Sequence, residues 1–267
     1  MSVKLSREEL IEKIHEFKLF DDTYMTTFFN GQPELIQLVL RIILNKSDLR
    51  VTGSQVQKTM KNIRGHSSIL DIYAVDGDST VYNIEVQCRS DGASPRRARY
   101  YSSLLDSNCL PEQEDYDDLP ETYVIFLTAK DVFGKGLPVY TVDRTVSELG
   151  HISFNDHEHI IYVNGECTDD TPLGRLVHDF KCPKPSEMYY KPLADRAHDL
   201  KDTEGGNTDM CQIMEEIKTI AEKERSRKVT INLLTKTNIP LEEIADYSML
   251  PLEEVKEIAA GLREREK

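Results

Sequence analysis

The sequence predicts an α/β domain over about residues 20–165, followed by a helical C-terminal extension. Three features predict this fold class. Residues 34–44 form a helix that is apolar on most sides, residues 50–88 contain three strand candidates, and residues 122–128 contain an unbroken apolar run. Such a run is typical of a strand that is covered on both faces. We therefore expect the last of these strands to lie in the middle of a mixed sheet.

Capping and turn residues set the boundaries of the elements. Ser6 and Glu9 form a capping box for a short first helix, and Pro33 stands where a second helix begins. Ser94 and Pro95 begin a further helix that runs to residue 105. Strands are expected at 50–63, 69–75, 81–88, 122–128, 137–142 and 159–163. Later helices are expected at 172–180, 187–200, 210–236, 241–247 and 252–262.

The chain is expected to have three parts. Residues 1–201 form the α/β domain with its N-terminal helix, residues 202–209 contain two glycines and form a linker, and residues 210–267 form a helical region. The last two helices carry acidic outer faces, which do not suit a helix that reads a DNA groove. We expect them to make a protein contact, such as the contact of a homo-oligomer.

Composition argues against two classes of protein. A formal net charge of -14 and a pI near 5.0 disfavour a protein that coats nucleic acid without sequence preference. No apolar run reaches the ~18 to 20 residues of a membrane helix, and the first ten residues are too charged for a signal peptide. The five cysteines are widely spaced and predict free thiols. We expect a cytoplasmic protein with no membrane partner.

The strands at 69–75 and 81–88 carry the pattern that indicates chemistry. Their apolar residues alternate with polar ones, so one face holds the core side chains and the other holds Asp71, Tyr73, Asn83, Glu85 and Gln87. Asp71 and Glu85 lie directly opposite each other if the connecting loop has five residues, and diagonally if it has three. Without a site, such a polar face is usually solvated.

Two carboxylates held on a rigid sheet suit Mg²⁺, with Mn²⁺ as an alternative ion. Mg²⁺ prefers one or two carboxylates and keeps several of its waters. A metal in this place can activate a bound water and stabilise the charge that develops during phosphodiester hydrolysis. Gln87, two residues after Glu85 on the same face, would orient the water or a phosphate oxygen.

At these residues the sequence resembles the PD-(D/E)XK nuclease superfamily, and within it the recombination-promoting nuclease and transposase group. The similar segments are DDTYM at 21–25, ILDIY at 69–73, YNIEVQ at 82–87, RARYYSSL at 97–104 and LPETYVIF at 119–126. The resemblance covers roughly residues 18–200. It implies a restriction-endonuclease-like α-β-β-β-α-β core, dependence on a divalent metal and DNA as the substrate.

The resemblance also implies roles for individual residues. Asp71 and Glu85 would hold the metal, and Glu34, in the first turn of a helix, would be a further ligand. Acidic residues are favoured in a first turn for any function, so Glu34 is also explained without a site. The superfamily's usual lysine is Gln87 here, and we expect Arg89 or Arg97 to supply the missing positive charge. Arg89, Arg97 and Tyr100 are the expected DNA contacts.

A second hypothesis from the same sequence is that the protein is a catalytically silent DNA-binding or protein-assembly module that kept the nuclease fold. The acidic pI and the missing lysine favour this alternative. It predicts DNA retention that falls with salt and no metal-dependent nicking.

Overall fold

A computed structural model describes residues 7–62, 66–111, 113–237 and 239–265 of the chain. These residues fall into two units, His15–Thr203 and Met1–Ile14 with Glu204–Lys267. The boundary at Thr203 lies close to residue 201, the predicted end of the α/β domain. Ser6, the predicted cap of the first helix, and residue 63, the predicted end of a strand, lie outside the described residues.

The described helices and strands follow the predicted order, with additions. The helices are α1 (Arg7–Glu16), α2 (Asp22–Phe29), α3 (Pro33–Leu44), α4 (Pro95–Cys109), α5 (Pro172–Lys181), α6 (Lys191–Asp202), α7 (Glu204–Lys236), α8 (Leu241–Ser248) and α9 (Leu252–Arg265). The strands are β1 (Val51–Met60), β2 (Ser68–Asp76), β3 (Val81–Gln87), β4 (Thr122–Thr128), β5 (Val139–Val142), β6 (Thr145–Val146), β7 (Ile152–Ser153) and β8 (Glu158–Asn164). The sequence did not predict α2, β6 or β7.

The main sheet is mixed, as predicted. Its six strands have the order β1-β2-β3-β4-β8-β5. The first three strands form an antiparallel meander, β3, β4 and β8 are parallel, and β5 is an antiparallel edge strand. Because α4 connects two neighbouring parallel strands, it crosses over one face of the sheet. The core of the nuclease-like fold class is therefore present as α3, the meander, α4 and β4.

The polar face of the hairpin is covered, not solvated. Paired residues of neighbouring strands point to the same face, so Asn83 and Glu85 share a face with their partners Val124 and Phe126 on β4. That face packs against α4, whose buried residues include Tyr101. Both β3 and β4 are buried along almost their whole length. The usual interpretation of a polar strand face, that it contacts water, is wrong for this hairpin.

The predicted linker is helical. Residues 202–209 contain the last residue of α6, a single intervening residue and the beginning of α7. The two glycines lie near the start of α7, where helix formation over the following residues outweighs the weak helix preference of glycine. The N-terminal residues up to Ile14 group with the C-terminal helices and not with the α/β domain. The division of the chain at 1–201 and 210–267 stays a prediction.

The C-terminal unit has its own small apolar core. Ile244, Leu250, Val255 and Ile258 are buried in it, and residues of α7 pack against them. Met249 adopts a left-handed conformation between α8 and α9, which ends the first of these helices and begins the turn into the second. The two short helices predicted at 241–247 and 252–262 are confirmed. Among the described residues, no helix is both long enough and apolar enough to cross a membrane.

Asp76 holds the turn between β2 and β3. Its carboxylate accepts hydrogen bonds from the backbone N–H of Asp78 and Thr80, both at 2.9 Å, and from the hydroxyl of Tyr82 at 2.7 Å. Asp76 is buried, so all three donors would lose a partner if the carboxylate were removed. This single side chain stabilises the turn that fixes the register of the hairpin.

We expect Asp76→Ala to lower the free energy of unfolding by about 2 to 4 kcal/mol, because it leaves buried donors without an acceptor. Urea unfolding followed by circular dichroism measures the effect. Asp78→Ala is the matched control, since its side chain is exposed and only its backbone takes part in the turn. Equal stability of the two variants would contradict the assigned role of Asp76.

Candidate active site

Asp71 and Glu85 lie directly opposite each other on β2 and β3. The last pairs of the hairpin are Val75 with Val81 and Ile72 with Ile84, so the connecting loop has five residues and the same register places Asp71 across from Glu85. Each carboxylate accepts a hydrogen bond from a backbone N–H of the opposite strand, in place of a backbone carbonyl. The N–H of Val86 donates to Asp71 Oδ2 at 2.9 Å, and the N–H of Asp71 donates to Glu85 Oε1 at 3.3 Å. Of the two arrangements that the sequence left open, the directly opposed one is present and the diagonal one is not.

Glu85 is a buried carboxylate with a charged partner. Its side chain is 0% exposed, and Arg97 Nη2 donates to its Oε2 at 3.1 Å. Burial, followed by repulsion from Asp71, raises the pKa of Glu85 to about 8, although Arg97 acts in the opposite direction. A carboxylate with so little water around it gains strongly from any further positive charge.

Arg97 is held in place by contacts along its whole length. Ser94 caps α4 and accepts from the backbone N–H of Arg97, which places this residue in the first turn. The guanidinium donates to the carbonyl of Gly92 and, through Nε, to the hydroxyl of Tyr101, both at 2.8 Å. Three of its five N–H groups are therefore used, and two remain. Arg97 therefore contacts Glu85, and its role as a DNA contact stays a prediction.

Asp71 lies between the sheet and the N-terminal end of α2. Burial raises the pKa of its carboxyl to about 6, the hydrogen bond from Val86 lowers it, and Asp22 raises it by repulsion. Asp22 begins α2 and is exposed. The carboxylate of Asp22 therefore helps to raise the pKa of Asp71.

Gln87 lies beside Arg97 at the end of β3. A Cβ atom added to Gly92 would come within 2.1 Å of Gln87 Oε1 and 3.5 Å of Arg97 Nη1. Gly92 therefore allows the amide and the guanidinium to occupy neighbouring positions. A positive charge from α4 stands next to the side chain that replaces the usual lysine.

The other predicted residues are Glu34, Tyr100 and Arg89. Glu34 is exposed in the first turn of α3, and no third Asp, Glu, His or Cys side chain joins Asp71 and Glu85 in a metal-binding group among the described residues, so its role as a ligand stays a prediction. Tyr100 points to the β1–β2 connection, where its hydroxyl contacts the carbonyl of His66 and accepts from Asn62. Arg89 is exposed just after β3, and its contact with DNA stays a prediction.

The sequence did not identify four residues that the fold brings to the site: Asp22, Gln57, Asn83 and Tyr101. Asp22 was noted only as part of a similar segment, and Asn83 only as a residue of the polar face. Tyr101 shares a helical stripe with Ala98 and Leu105, a pattern that predicts packing and gives no signal of a hydrogen bond to Arg97. For Gln57 a signal is absent from the sequence, because its strand is polar and irregular.

The oxygen donors of this site suit a hard divalent cation. Two carboxylates face each other, which matches the one or two that Mg²⁺ prefers. Asn83 is fully buried on the same face, and its amide, which is close enough to Glu85 to lower the pKa of that carboxyl, makes no hydrogen bond of ordinary length within the described part of the chain. A buried amide without a partner is costly, and such groups in native proteins often mark a place where a further polar ligand binds. The residues present therefore fit a divalent metal, with Asp71 and Glu85 as its ligands.

The raised pKa of Glu85 predicts an unusual dependence of stability on pH. In the unfolded chain this carboxyl titrates near 4.5, and in the folded protein it titrates near 8. Between these values the folded protein binds more protons than the unfolded chain, so the free energy of unfolding falls as the pH rises. Glutamine has no proton to lose and does not contribute to this fall.

We therefore expect Glu85→Gln, without divalent metal, to gain stability relative to the wild type as the pH rises from 5 to 8, by about 3 to 4 kcal/mol. Denaturant unfolding at several pH values in EDTA measures the difference. Glu34→Gln is the control, because its side chain lies in solvent. Parallel stability curves for the wild type and Glu85→Gln would show that folding does not raise the pKa of Glu85.

Comparison with known proteins agrees with this geometry. A family model described as PD-(D/E)XK nuclease family transposase matches residues 31–168, which is more than half of the chain. The matched segment contains Asp71, Glu85, Gln87 and Arg97, and it begins after Asp22. No curated protein and no solved structure matches the chain.

Proposed function

Because this chain belongs to the PD-(D/E)XK nuclease family transposases, we propose that it is a divalent-metal-dependent DNA endonuclease of the transposase or recombination-promoting type. The observation that carries the proposal is the pair of Asp71 and Glu85, which face each other on two neighbouring strands. Arg97 of α4 donates a hydrogen bond to Glu85. A nuclease of this kind hydrolyses phosphodiester bonds.

Asp71 and Glu85 would hold the metal, Mg²⁺ or in its place Mn²⁺. When bound, the metal supplies an activated water and a positive charge for the phosphate. The protein's own groups do the rest. Gln87 orients the water or a phosphate oxygen, and Arg97 provides the positive charge that lysine gives to other members of the superfamily.

Arg97 suits this role because it remains able to donate. Two of its N–H groups are not used by Glu85, Gly92 or Tyr101, and its side chain is about one third exposed. A guanidinium binds phosphate through paired hydrogen bonds. The exposed Arg96 and Arg99 extend positive charge along the start of α4, and the exposed Arg89 lies just after β3, which supports a local DNA contact on an acidic protein.

The decisive test is nicking of supercoiled plasmid in Mg²⁺. We expect Asp71→Asn to lower the rate by at least about 100-fold, because it removes a metal ligand while keeping the shape of the side chain. Asp78→Asn, an exposed residue of the adjacent turn, keeps the wild-type rate and controls for contaminating nuclease. Full activity of Asp71→Asn would exclude this site.

The alternative function is a silent DNA-binding module. The observation in its favour is that Arg97 pairs with Glu85 and that the described residues offer no third Asp, Glu, His or Cys ligand. Absence of nicking by the wild type, together with DNA retention that falls with salt, would favour it over the nuclease.

We also propose that the C-terminal helices mediate self-association. Tyr247 and Met249 are 66% and 85% exposed at the junction of α8 and α9, beside a shallow cavity bordered by Glu242 and Asp246. Large apolar side chains with this exposure are typical of contact surfaces when they are clustered.

We expect the double variant Tyr247→Ser and Met249→Ser, made in the full chain, to shift the species measured by light scattering from oligomer to monomer. Leu149→Ser is the control, since it removes an equally exposed apolar side chain from the other unit. A wild-type protein that is monomeric at about 50 µM would overturn self-association through a stable interface.

A further inference from the structure

Gln57 has a backbone conformation that its position does not explain. It lies within β1, yet its φ is +52°, in the left-handed region. Among the described residues, the other non-glycine residues with positive φ lie outside the strands, in turns, caps and loops. Glutamine is not one of the residues that favour this region, so the conformation costs on the order of 1 kcal/mol. A residue held in this way is a reason to look for a function.

Gln57 is in register with the two carboxylates. Val56 pairs with Ile72 and Lys58 pairs with Leu70, so Gln57 lies opposite Asp71, which itself lies opposite Glu85. Three strands therefore contribute neighbouring polar residues in one row. The amide is near enough to Asp71 to lower the pKa of that carboxyl.

The same amide also reaches α2. Its Nε2 donates to Thr26 Oγ1 at 3.2 Å. Asp22 lies one helical turn before Thr26, on the same face of α2. Gln57 thus stands between a helix that carries one carboxylate and a strand that carries another, and one amide can serve both because it has two N–H groups.

We propose that Gln57 is a positioning residue, whose amide links α2 to β2 and fixes the orientation of Asp71 at the metal site. This inference rests on the proposed function and adds a residue to it. The ordinary explanation, a local distortion that protects an edge strand, requires the left-handed backbone but no amide. Glycine or asparagine would serve such a distortion better than glutamine does.

The two explanations predict different orders in a series of variants. Gln57→Gly relieves the backbone and removes the amide, and Gln57→Asn relieves the backbone and keeps an amide that is one methylene shorter. If Gln57 positions Asp71, the rate of nicking follows the order Gln above Asn above Gly and does not track the melting temperature, in which relief of the backbone offsets loss of the amide's hydrogen bonds. A purely structural role predicts the same order for both quantities.

The experiment measures plasmid nicking against Mg²⁺ concentration, DNA affinity and the melting temperature of the full chain. We expect Gln57→Gly to lower kcat about tenfold and to raise the Mg²⁺ concentration needed for half the maximal rate, with DNA affinity within twofold of the wild type. Gln55→Gly and Gln55→Asn are the matched controls, since Gln55 is exposed on the same strand two residues earlier. Wild-type kinetics in Gln57→Gly would overturn the positioning role and leave the nuclease proposal intact.

The rise in melting temperature caused by Mn²⁺ provides a readout without catalysis. We expect this rise to be smaller in Gln57→Gly than in Gln55→Gly. If the wild type does not nick DNA, the nuclease proposal fails, and a smaller Mn²⁺ effect in Gln57→Gly still supports the positioning of Asp71. Equal Mn²⁺ effects in the two variants would refute it.

Discussion

The burial of Glu85 is the constraint on which the site depends. A carboxylate without water is tolerated only when other groups replace its solvation, and here the replacement consists of one guanidinium and one backbone N–H. Removing the guanidinium would leave two opposed carboxylates on adjacent strands. The place of Arg97 is in turn fixed by Ser94, Gly92 and Tyr101. The buried carboxyl group in β3 is therefore stabilised by an arginine of α4, and this ion pair couples the helix to the sheet.

The topology explains why such burial is reached. The chain leaves β3, crosses the sheet as α4 and returns as the parallel strand β4, so the helix lies over the strand that carries Glu85. Antiparallel strands alone would leave this face in water, where a carboxylate has little preference for a metal over its hydration shell. The parallel half of the sheet creates the dry environment, and the antiparallel half contributes Asp71 and Gln57.

Much of this arrangement could be predicted from the sequence, because its signals are local. The alternation in the hairpin assigned Asp71 and Glu85 to one face, and Ser94 with Pro95 located the start of α4. Length alone could not choose between the two loop interpretations, since the five-residue turn depends on the buried carboxylate of Asp76. Glycine composition at 202–209 suggested a linker, but the residues that follow extend a helix through it.

What the sequence left open at the site has a common physical cause. Glu34 was named as a ligand from the resemblance, and α2, whose first residue Asp22 affects the pKa of Asp71, was not predicted. Tyr100 was named as a DNA contact, and a rotation of 100° per residue sends its ring to Asn62 and the ring of Tyr101 to Arg97. Gln57 could not be found at all, since its significance lies in a backbone angle. Long-range placement decides each of these cases.

The charge of the whole chain and the charge of the site act in different ways. A net charge of -14 repels DNA at a distance, and salt screens this repulsion beyond about 10 Å. At the site, Asp71 and Glu85 share one guanidinium and have raised pKa values, so a bound cation would favour the loss of their protons. If the site binds metal and DNA as proposed, the affinity for DNA is coupled to the affinity for metal, because each additional positive charge between the carboxylates and a phosphate reduces the repulsion between them. Attraction for DNA is then weak outside the site and depends on the metal within it.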